Sequence, residues 1–324
     1  MMNITILGAG AYGIALSSMF LENDCNITMW TKTDSEKETL EKERCNKKVL
    51  PDYKISNKIL FTTDLGKAVK NADIIVIAIP VKFVTNIIIE LAKYYEKDQH
   101  ICIASKGIEQ GSCLFIANII KKHIKTKKVC VISGGTFAVD MVKHVPLGLS
   151  LASKNKSTIN IMMKTLQNDY LKLIPTNDVF GVEMYGAIKN VIAIASGIID
   201  GMGYPESTKC MFITKAFNDI VELIYEMGGN KKTIFTYAGI GDLLLTCTSV
   251  KSRNYSFGRM IGEKVDKKAI DEYKENTTIE GLYTLKSIYD LIQEKKIKMP
   301  IINIIYDIVY KNKDIDLLED YLKK

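Results

Sequence analysis

Short runs of isoleucine and valine alternate with longer amphipathic stretches over roughly the first 180 residues, and then the alternation stops. The runs NITILG (3–8), NITMW (26–30), DIIVIAIP (73–80), HICIAS (100–105), KVCVIS (128–133), LGLSLAS (147–153) and YLKLIPT (170–176) are short, rich in β-branched residues and bounded by polar turns. These features predict strands. Apolar runs without strict alternation fit strands covered on both faces, as in a parallel sheet. Helical patterning lies between them near 11–22, 64–71, 81–96, 112–124 and 156–168, so the first part of the chain reads as a doubly wound α/β domain. From about residue 181 only helical patterns remain. The expected organisation is therefore an α/β domain over 1–180 and an all-α domain over 181–324. The charged stretch 263–277 is expected to be a mobile surface segment. No apolar run is expected to reach the roughly 18 residues that a membrane span needs. The N-terminus enters a strand pattern directly, without the basic head and cleavage site of a signal peptide.

Composition narrows this picture. Of the 324 residues, 47% are apolar and 25% charged, the balance of a globular protein. The net charge is +7, but the lysines are scattered and not interleaved with aromatics, which argues against a nucleic-acid surface. Only Arg44, Arg253 and Arg259 are arginines, and two of them fall within seven residues. The seven cysteines contain no CxxC pair, as expected of reduced thiols in the cytoplasm. His100, His123 and His144 do not group with them, so no metal site is expected.

The first candidate chemistry follows the first strand. In ILGAGAYGIAL, Gly8, Gly10 and Gly13 have G-x-G-x-x-G spacing between a strand and a helix. That context suits a dinucleotide: Gly8 for the tight turn, Gly10 for close approach of a pyrophosphate, Gly13 for close packing of helix on strand. The pyrophosphate would rest on free N–H groups at the helix start, including those around Ala11 and Tyr12. At the end of the second strand, where NAD sites carry an acid, WTKTDSE offers Lys32. A cation there suits the 2′-phosphate of NADP, and NAD remains open.

The second candidate is Lys189. AIKNVIAIASGIIDG reads as a buried apolar helix, yet Lys189 and Asn190 stand in its opening turns with no carboxylate within one helical turn of the lysine. A lysine there could simply snorkel. Many hydroxyacid dehydrogenases carry the proton on a histidine, but none of the three histidines here has a suitable setting. A lysine whose pKa is lowered by burial is the natural substitute.

Five ordered motifs decide between these readings. SKGIE (105–109), SGGTFAVD (133–140), GVEMYGAIKNVIAIASGI (181–198), AGIGDLLLTCTSVKSRNYSFG (238–258) and TTIEGLYT (277–284) together resemble the motif series of bacterial-type NAD(P)-dependent glycerol-3-phosphate dehydrogenases. The resemblance runs through nearly the whole chain. It implies a Rossmann-like N-terminal domain, an all-helical substrate domain, and interconversion of dihydroxyacetone phosphate and sn-glycerol 3-phosphate for phospholipid synthesis. It further implies Lys189 as the catalytic lysine, Lys106 as a second lysine near cofactor and substrate, and Asp242 as the acid beside them. By the same resemblance, Gly134, Thr136, Asn190, Ser252, Arg253 and Asn254 join Lys106, Lys189 and Asp242 around the substrate. Gly8, Gly10, Ala11, Tyr12, Gly13, Lys32, Lys106, Ala138, Arg253 and Glu280 line NADP(H) or NAD(H). On this reading Lys189 points into a cleft between the domains, and a homodimer without stable membrane insertion is expected.

The chemistry agrees. A guanidinium such as Arg253 grips a phosphate with a planar fork, and a protonated Lys189 can meet the alkoxide formed when hydride reaches the ketone. Asp242 could also cap a helix, and Glu280 fits a first turn capped by Thr277 or Thr278. Glu183 is expected to be structural, and Lys209 at most substrate-proximal. Gly135, Tyr185 and Val49, with Ala11 and Tyr12, depart from the family pattern and bear on cofactor fit and loop rigidity. Two other readings stand beside this one: a related lysine-dependent hydroxyacid dehydrogenase, and a catalytically silent dinucleotide-binding sensor.

Overall fold

The computed structural model describes residues 1–323 and divides into two compact units, Met1–Ser105 with Ile116–Val179, and Lys106–Phe115 with Phe180 onward. The first unit runs β1 (Asn3–Leu7), α1 (Ala11–Leu21), β2 (Asn26–Trp30), α2 (Asp34–Glu43), β3 (Ile59–Thr62), α3 (Leu65–Val69), β4 (Ile74–Ile77), α4 (Val81–Leu91), β5 (His100–Ile103), α5 (Ile116–His123), β6 (Val129–Ser133), α6 (Ala138–Met141), β7 (Leu147–Ala152), α7 (Lys156–Leu166) and β8 (Leu171–Thr176). The eight strands form one sheet in the order β3-β2-β1-β4-β5-β6-β7-β8. All neighbours are parallel except β6 and β7, so the sheet is parallel-dominated and not purely parallel. Ile74, Ile75, Val76 and Ile77 of β4 are all fully buried, which is why this strand shows no alternation.

Two elements escape the patterning of the sequence. β3 is four residues long and exposes Leu60. In α2, DSEKETLEKE buries only Leu40, and the helix depends on local signals: the Thr33 hydroxyl accepts from the N–H of Glu36, and Asp34 and Glu36 stand in the first turn.

The second unit holds α8 (Val179–Gly201), α9 (Glu206–Glu226), a 3₁₀ turn (Lys231–Phe235), a π turn (Tyr237–Gly241), α10 (Asp242–Thr248), α11 (Arg253–Gly262), α12 (Lys267–Asn276), α13 (Glu280–Glu294), α14 (Pro300–Lys311) and α15 (Asp316–Lys323). The segment 106–115 belongs here and not with the sheet, which a single boundary at 180 does not capture. Ile108 and Phe115 pair as an isolated bridge and sink into the helical core, and Ser287 of α13 donates to the carbonyl of Glu109. The charged stretch 263–277 lies at the surface as expected, and residues 267–276 of it form helix α12, which buries no residue.

α8 corrects a further expectation. It is 23 residues long with a window of mean hydropathy 1.4, enough by length and composition to cross a bilayer. Residues Gly181 to Ile199 are all buried inside the structure, so the surrounding protein accounts for their apolar character. Helices α8 and α11 meet backbone to backbone through paired glycines. A Cβ on Gly197 would lie 2.1 Å from the carbonyl oxygen of Tyr255, and one on Gly258 would lie 1.9 Å from that of Ile194. In an exposed helix, Gly258→Ala would stabilise by about 1 kcal/mol. Here the overlap with rigid backbone reverses the sign, and we expect melting to fall by about 5–10 °C, checked by calorimetry. The contact holds the start of α11 beside the middle of α8, around Lys189 and Asn190, which lie eleven and twelve residues into that helix.

Candidate active site

Lys106, Lys189 and Asp242 converge in the second unit. Lys106 follows β5 and is turned by Gly107, whose φ of +126° is a left-handed value that glycine adopts without strain. Its Nζ lies 2.6 Å from Oδ2 of Asp242. Lys189 of α8 lies 2.5 Å from the other carboxylate oxygen, Oδ1. Asp242 is 1% exposed and Lys189 8%, so this is a buried two-cation, one-anion cluster. Asp242 is the first residue of α10 and Gly241 its N-cap, so the carboxylate is given to the lysines and not to capping.

Thr246, which sequence reasoning missed, completes the cluster. Nζ of Lys189 donates to its Oγ1 at 2.9 Å, and that hydroxyl donates to the carbonyl of Asp242 at 2.6 Å. The signal was present in the spacing: residues 242 and 246 are four apart on a helix and share a face. Two of the three Lys189 hydrogens are thus committed, and the third is available to a ligand.

The electrostatics suit proton transfer. Burial pushes the Lys189 ammonium down, Asp242 pulls it back up, Lys106 pushes it down again and Glu280 adds a smaller upward pull; the result is about 8. For Asp242, burial alone would raise the carboxyl, but the charges and hydrogen bonds of Lys106 and Lys189 outweigh it and hold it below the ordinary value. Glu280 is the first residue of α13, with Ile279 and not Thr277 or Thr278 as N-cap.

At the start of α11, the hydroxyl of Ser252 caps the helix by accepting from the N–H of Tyr255. Arg253 is exposed in the first turn, and among the described residues no carboxylate pairs with it. The other arginines are tied into the structure: Arg44 donates to the carbonyls of Ser56 and Ile59, and Arg259 pairs with Glu263. Asn254 is buried and donates to Oδ1 of Asn190. Lys209 is held by Asp200 at 2.6 Å, Glu206 at 2.8 Å and the Tyr255 hydroxyl at 3.4 Å. Its partner Asp200 lies eleven residues along α8 from Lys189, roughly 16 Å, so Lys209 braces α8 against α9 and is not part of the lysine cluster.

The first unit carries the glycine turn. Gly8 has φ +113°, and a Cβ there would lie 2.6 Å from the carbonyl oxygen of Ala78. A Cβ on Gly13 would lie 2.2 Å from the oxygen of Gly8 itself, so α1 starts as close to β1 as backbone allows. Gly10 caps α1 and faces open space. This is the cradle a pyrophosphate needs, with the first N–H groups of α1, from Ala11 and Tyr12 on, beside it. The Tyr12 hydroxyl lies 3.3 Å from Oγ1 of Thr136, which brings together two residues assigned to cofactor and substrate. Gly134 has a packing reason as well, because a Cβ would lie 2.6 Å from the oxygen of Gly148. Ala138 opens α6. Lys32 is exposed just beyond β2, and its Nζ lies 5.0 Å from the centre of the Phe83 ring; Nζ of Lys82 lies 4.9 Å from the same ring. Two of the three histidines are engaged locally: His100 with the Thr158 hydroxyl, His144 stacked on Tyr170. Tyr185 is buried within α8, and Val49 is 39% exposed.

Comparison with known proteins agrees with this arrangement. Residues 3–159 match the family model for the N-terminus of NAD-dependent glycerol-3-phosphate dehydrogenase, and residues 178–319 the model for its C-terminus. A glycerol-3-phosphate dehydrogenase [NAD(P)+] of Staphylococcus epidermidis is 34% identical over 316 residues, spanning 96% of this chain and 95% of the relative. One from Staphylococcus aureus is 34% identical over 317 residues with the same shares. The crystal structure of glycerol-3-phosphate dehydrogenase from Coxiella burnetii superposes with a TM-score of 0.94 at 28% identity, covering 100% of this chain and 99% of that one. The chain belongs to the NAD-dependent glycerol-3-phosphate dehydrogenase family: it is an NAD(P)-dependent oxidoreductase, a glycerol-3-phosphate dehydrogenase.

Proposed function

We propose that Lys189 is the proton donor and acceptor in the interconversion of dihydroxyacetone phosphate and sn-glycerol 3-phosphate. The observation that carries this is a buried ammonium with a pKa near 8, two hydrogens fixed by Asp242 and Thr246, and a third free. In reduction, a bound nicotinamide would be the source of the hydride that reaches the carbonyl carbon. Lys189 meets the developing charge on the oxygen and transfers its proton there; in oxidation the neutral amine takes the hydroxyl proton. Lys106 adds a second positive charge toward the carbonyl, and Asp242 orients both lysines and keeps Lys189 protonated near neutrality. Arg253 grips the phosphate with its fork, with Ser252 setting the start of α11. Adding dihydroxyacetone phosphate to enzyme and NADPH should extinguish the reduced-nicotinamide absorbance. Binding of NADPH with no such loss would favour a silent sensor, and turnover of unphosphorylated hydroxyacids alone would favour a related dehydrogenase.

The cofactor preference assigned here is NADPH. Lys32 and Lys82 lie on one aromatic ring, and the first turn of α4, which carries Lys82, contains no acidic residue. Two ammonium groups and a helix start favour a 2′-phosphate. The double variant Lys32→Ala, Lys82→Ala should raise KM for NADPH about tenfold or more and leave KM for NADH within about twofold. Equal effects on both cofactors would contradict the preference. The product is suited to phospholipid synthesis. Seven free thiols support a reducing cytoplasmic setting. Exposed Phe235, Ile240 and Leu244 in the second unit support a homodimer.

A further inference from the structure

We propose that Lys209 is a positioning residue for the phosphate grip: by locking Asp200 at the end of α8 to Tyr255 in the first turn of α11, it sets where Arg253 presents its guanidinium. This rests on the reading above that Arg253 holds the substrate phosphate. Lys209 stands in the first turn of α9, yet it is only 8% exposed. Its three hydrogens meet three acceptors: Asp200 at 2.6 Å, Glu206 at 2.8 Å and the Tyr255 hydroxyl at 3.4 Å. The phenol of Tyr255, a residue 2% exposed, accepts from the lysine and gives its own hydrogen to Asp200. Asp200 reaches α11 a second time through Arg259, whose Nε lies 3.6 Å from Oδ2. One carboxylate at the end of α8 thus holds two successive turns of α11, and Lys209 pins it from α9.

The remaining contact between α8 and α11 needs such a pin. The seam of Gly197 and Gly258 continues through Gly201 and Gly262. A Cβ on Gly201 would lie 2.3 Å from the carbonyl oxygen of Arg259, and one on Gly262 would lie 2.2 Å from that of Ile198. A glycine seam fixes how closely two helices approach, but it has no side chains to interlock, so it sets slide and rotation weakly. Polar side chains of α11 reach α8 at two levels. Asn254 donates to Asn190 at 3.0 Å, and Tyr255 meets Asp200 ten residues further along α8, roughly 15 Å away. Two such points fix both the slide and the rotation. Buried ion pairs often add little stability over apolar residues of the same size, and their best-attested use is to set register. Arg253 is the exposed first residue of α11, so its fork is only as well aimed as the helix that carries it. An error of about 1 Å at such a contact can cost up to about 10²-fold.

Lys209→Met tests the role in a double-mutant cycle with Arg253→Ala. Methionine keeps the apolar stem, and Asp200 retains Tyr255 and Arg259, so no carboxylate is stranded. The single variant should raise KM for dihydroxyacetone phosphate about tenfold, with kcat within about threefold of wild type. In the Arg253→Ala background, where there is no fork left to aim, the same substitution should change kcat/KM by less than about twofold. A lysine that only stabilises the fold would lower the melting temperature and leave KM unchanged, or would scale kcat/KM equally in both backgrounds. Either result overturns the role of Lys209 and leaves the phosphate grip standing. An Arg253→Ala enzyme with wild-type KM would instead overturn the grip, and the role of Lys209 with it. Should Lys209→Met fail to fold, Tyr255→Phe decides, because it removes one oxygen and keeps the ring. It should raise KM about threefold or more, and an unchanged KM would overturn the proposal.

Discussion

Lys189→Met is expected to lower kcat for reduction of dihydroxyacetone phosphate by about 10²- to 10⁴-fold, the usual contribution of a placed acid or base, while NADPH binds within about twofold of wild type. Methionine keeps the length and apolar stem of the lysine, so the packing around α8 should survive. Asp242 keeps Lys106 as a partner at 2.6 Å, so the substitution leaves no carboxylate stranded. The cofactor cradle, around Gly8, Gly10 and Gly13, belongs to the other unit. The pH dependence gives a second signature. Reduction requires the ammonium, so its rate in the wild type should fall as pH rises through about 8, and oxidation, which requires the amine, should rise over the same interval. Both inflections should vanish from the residual activity of the variant. Stopped-flow absorbance in the two directions measures both.

The larger effect on stability is expected from Asp242→Ala. This carboxylate is 1% exposed and is the shared counter-ion of two lysines. Removing it leaves two buried or half-buried cations facing each other, and breaking a buried pair in this way costs about 3–5 kcal/mol. For a unit of this size that corresponds to a fall in melting temperature of about 6–20 °C. The sign of the functional change follows from the same charges. Asp242 is the main upward pull on the Lys189 pKa, whereas burial and Lys106 push it down. Without Asp242 the Lys189 pKa falls, the ammonium is lost at lower pH, and the limb for reduction moves toward acid. Denaturation followed by calorimetry and a pH profile at low temperature separate the two effects. An unshifted profile in a folded variant would show that Asp242 does not tune Lys189.

Much of the fold was legible because burial leaves a periodic trace. Strands with both faces covered, such as β4, appear as unbroken apolar runs, and the change to helical patterning marks where the sheet ends. Elements that bury little left no such trace. β3 is an edge strand with an exposed leucine, and α2 is polar at nine of its ten positions. The antiparallel step between β6 and β7 was illegible for another reason: an apolar run records burial and carries no direction. α8 was under-read because Glu183, Lys189 and the glycines interrupt its apolar run, although the helix continues through all of them.

For the site, the resemblance of the ordered motifs singled out Lys106, Lys189 and Asp242, and the structure places both ammonium groups within hydrogen-bonding distance of the Asp242 carboxylate. What spacing could not supply was the third dimension. Thr246 was passed over because a threonine on an apolar helix is commonplace until a lysine is known to face it. Asn254 was placed near the substrate by motif resemblance alone, and its partners Asn190 and Gly281, 64 and 27 residues away, could not be read from spacing.

The most direct test of the central claim is a crystal structure of the enzyme with NADP⁺ and sn-glycerol 3-phosphate bound, in which the distance from Nζ of Lys189 to the C2 hydroxyl oxygen is measured. The account predicts about 3 Å, with Asp242 and Thr246 still holding the same nitrogen. A C2 oxygen met by another group, with Nζ beyond about 4 Å and no water between them, would contradict it.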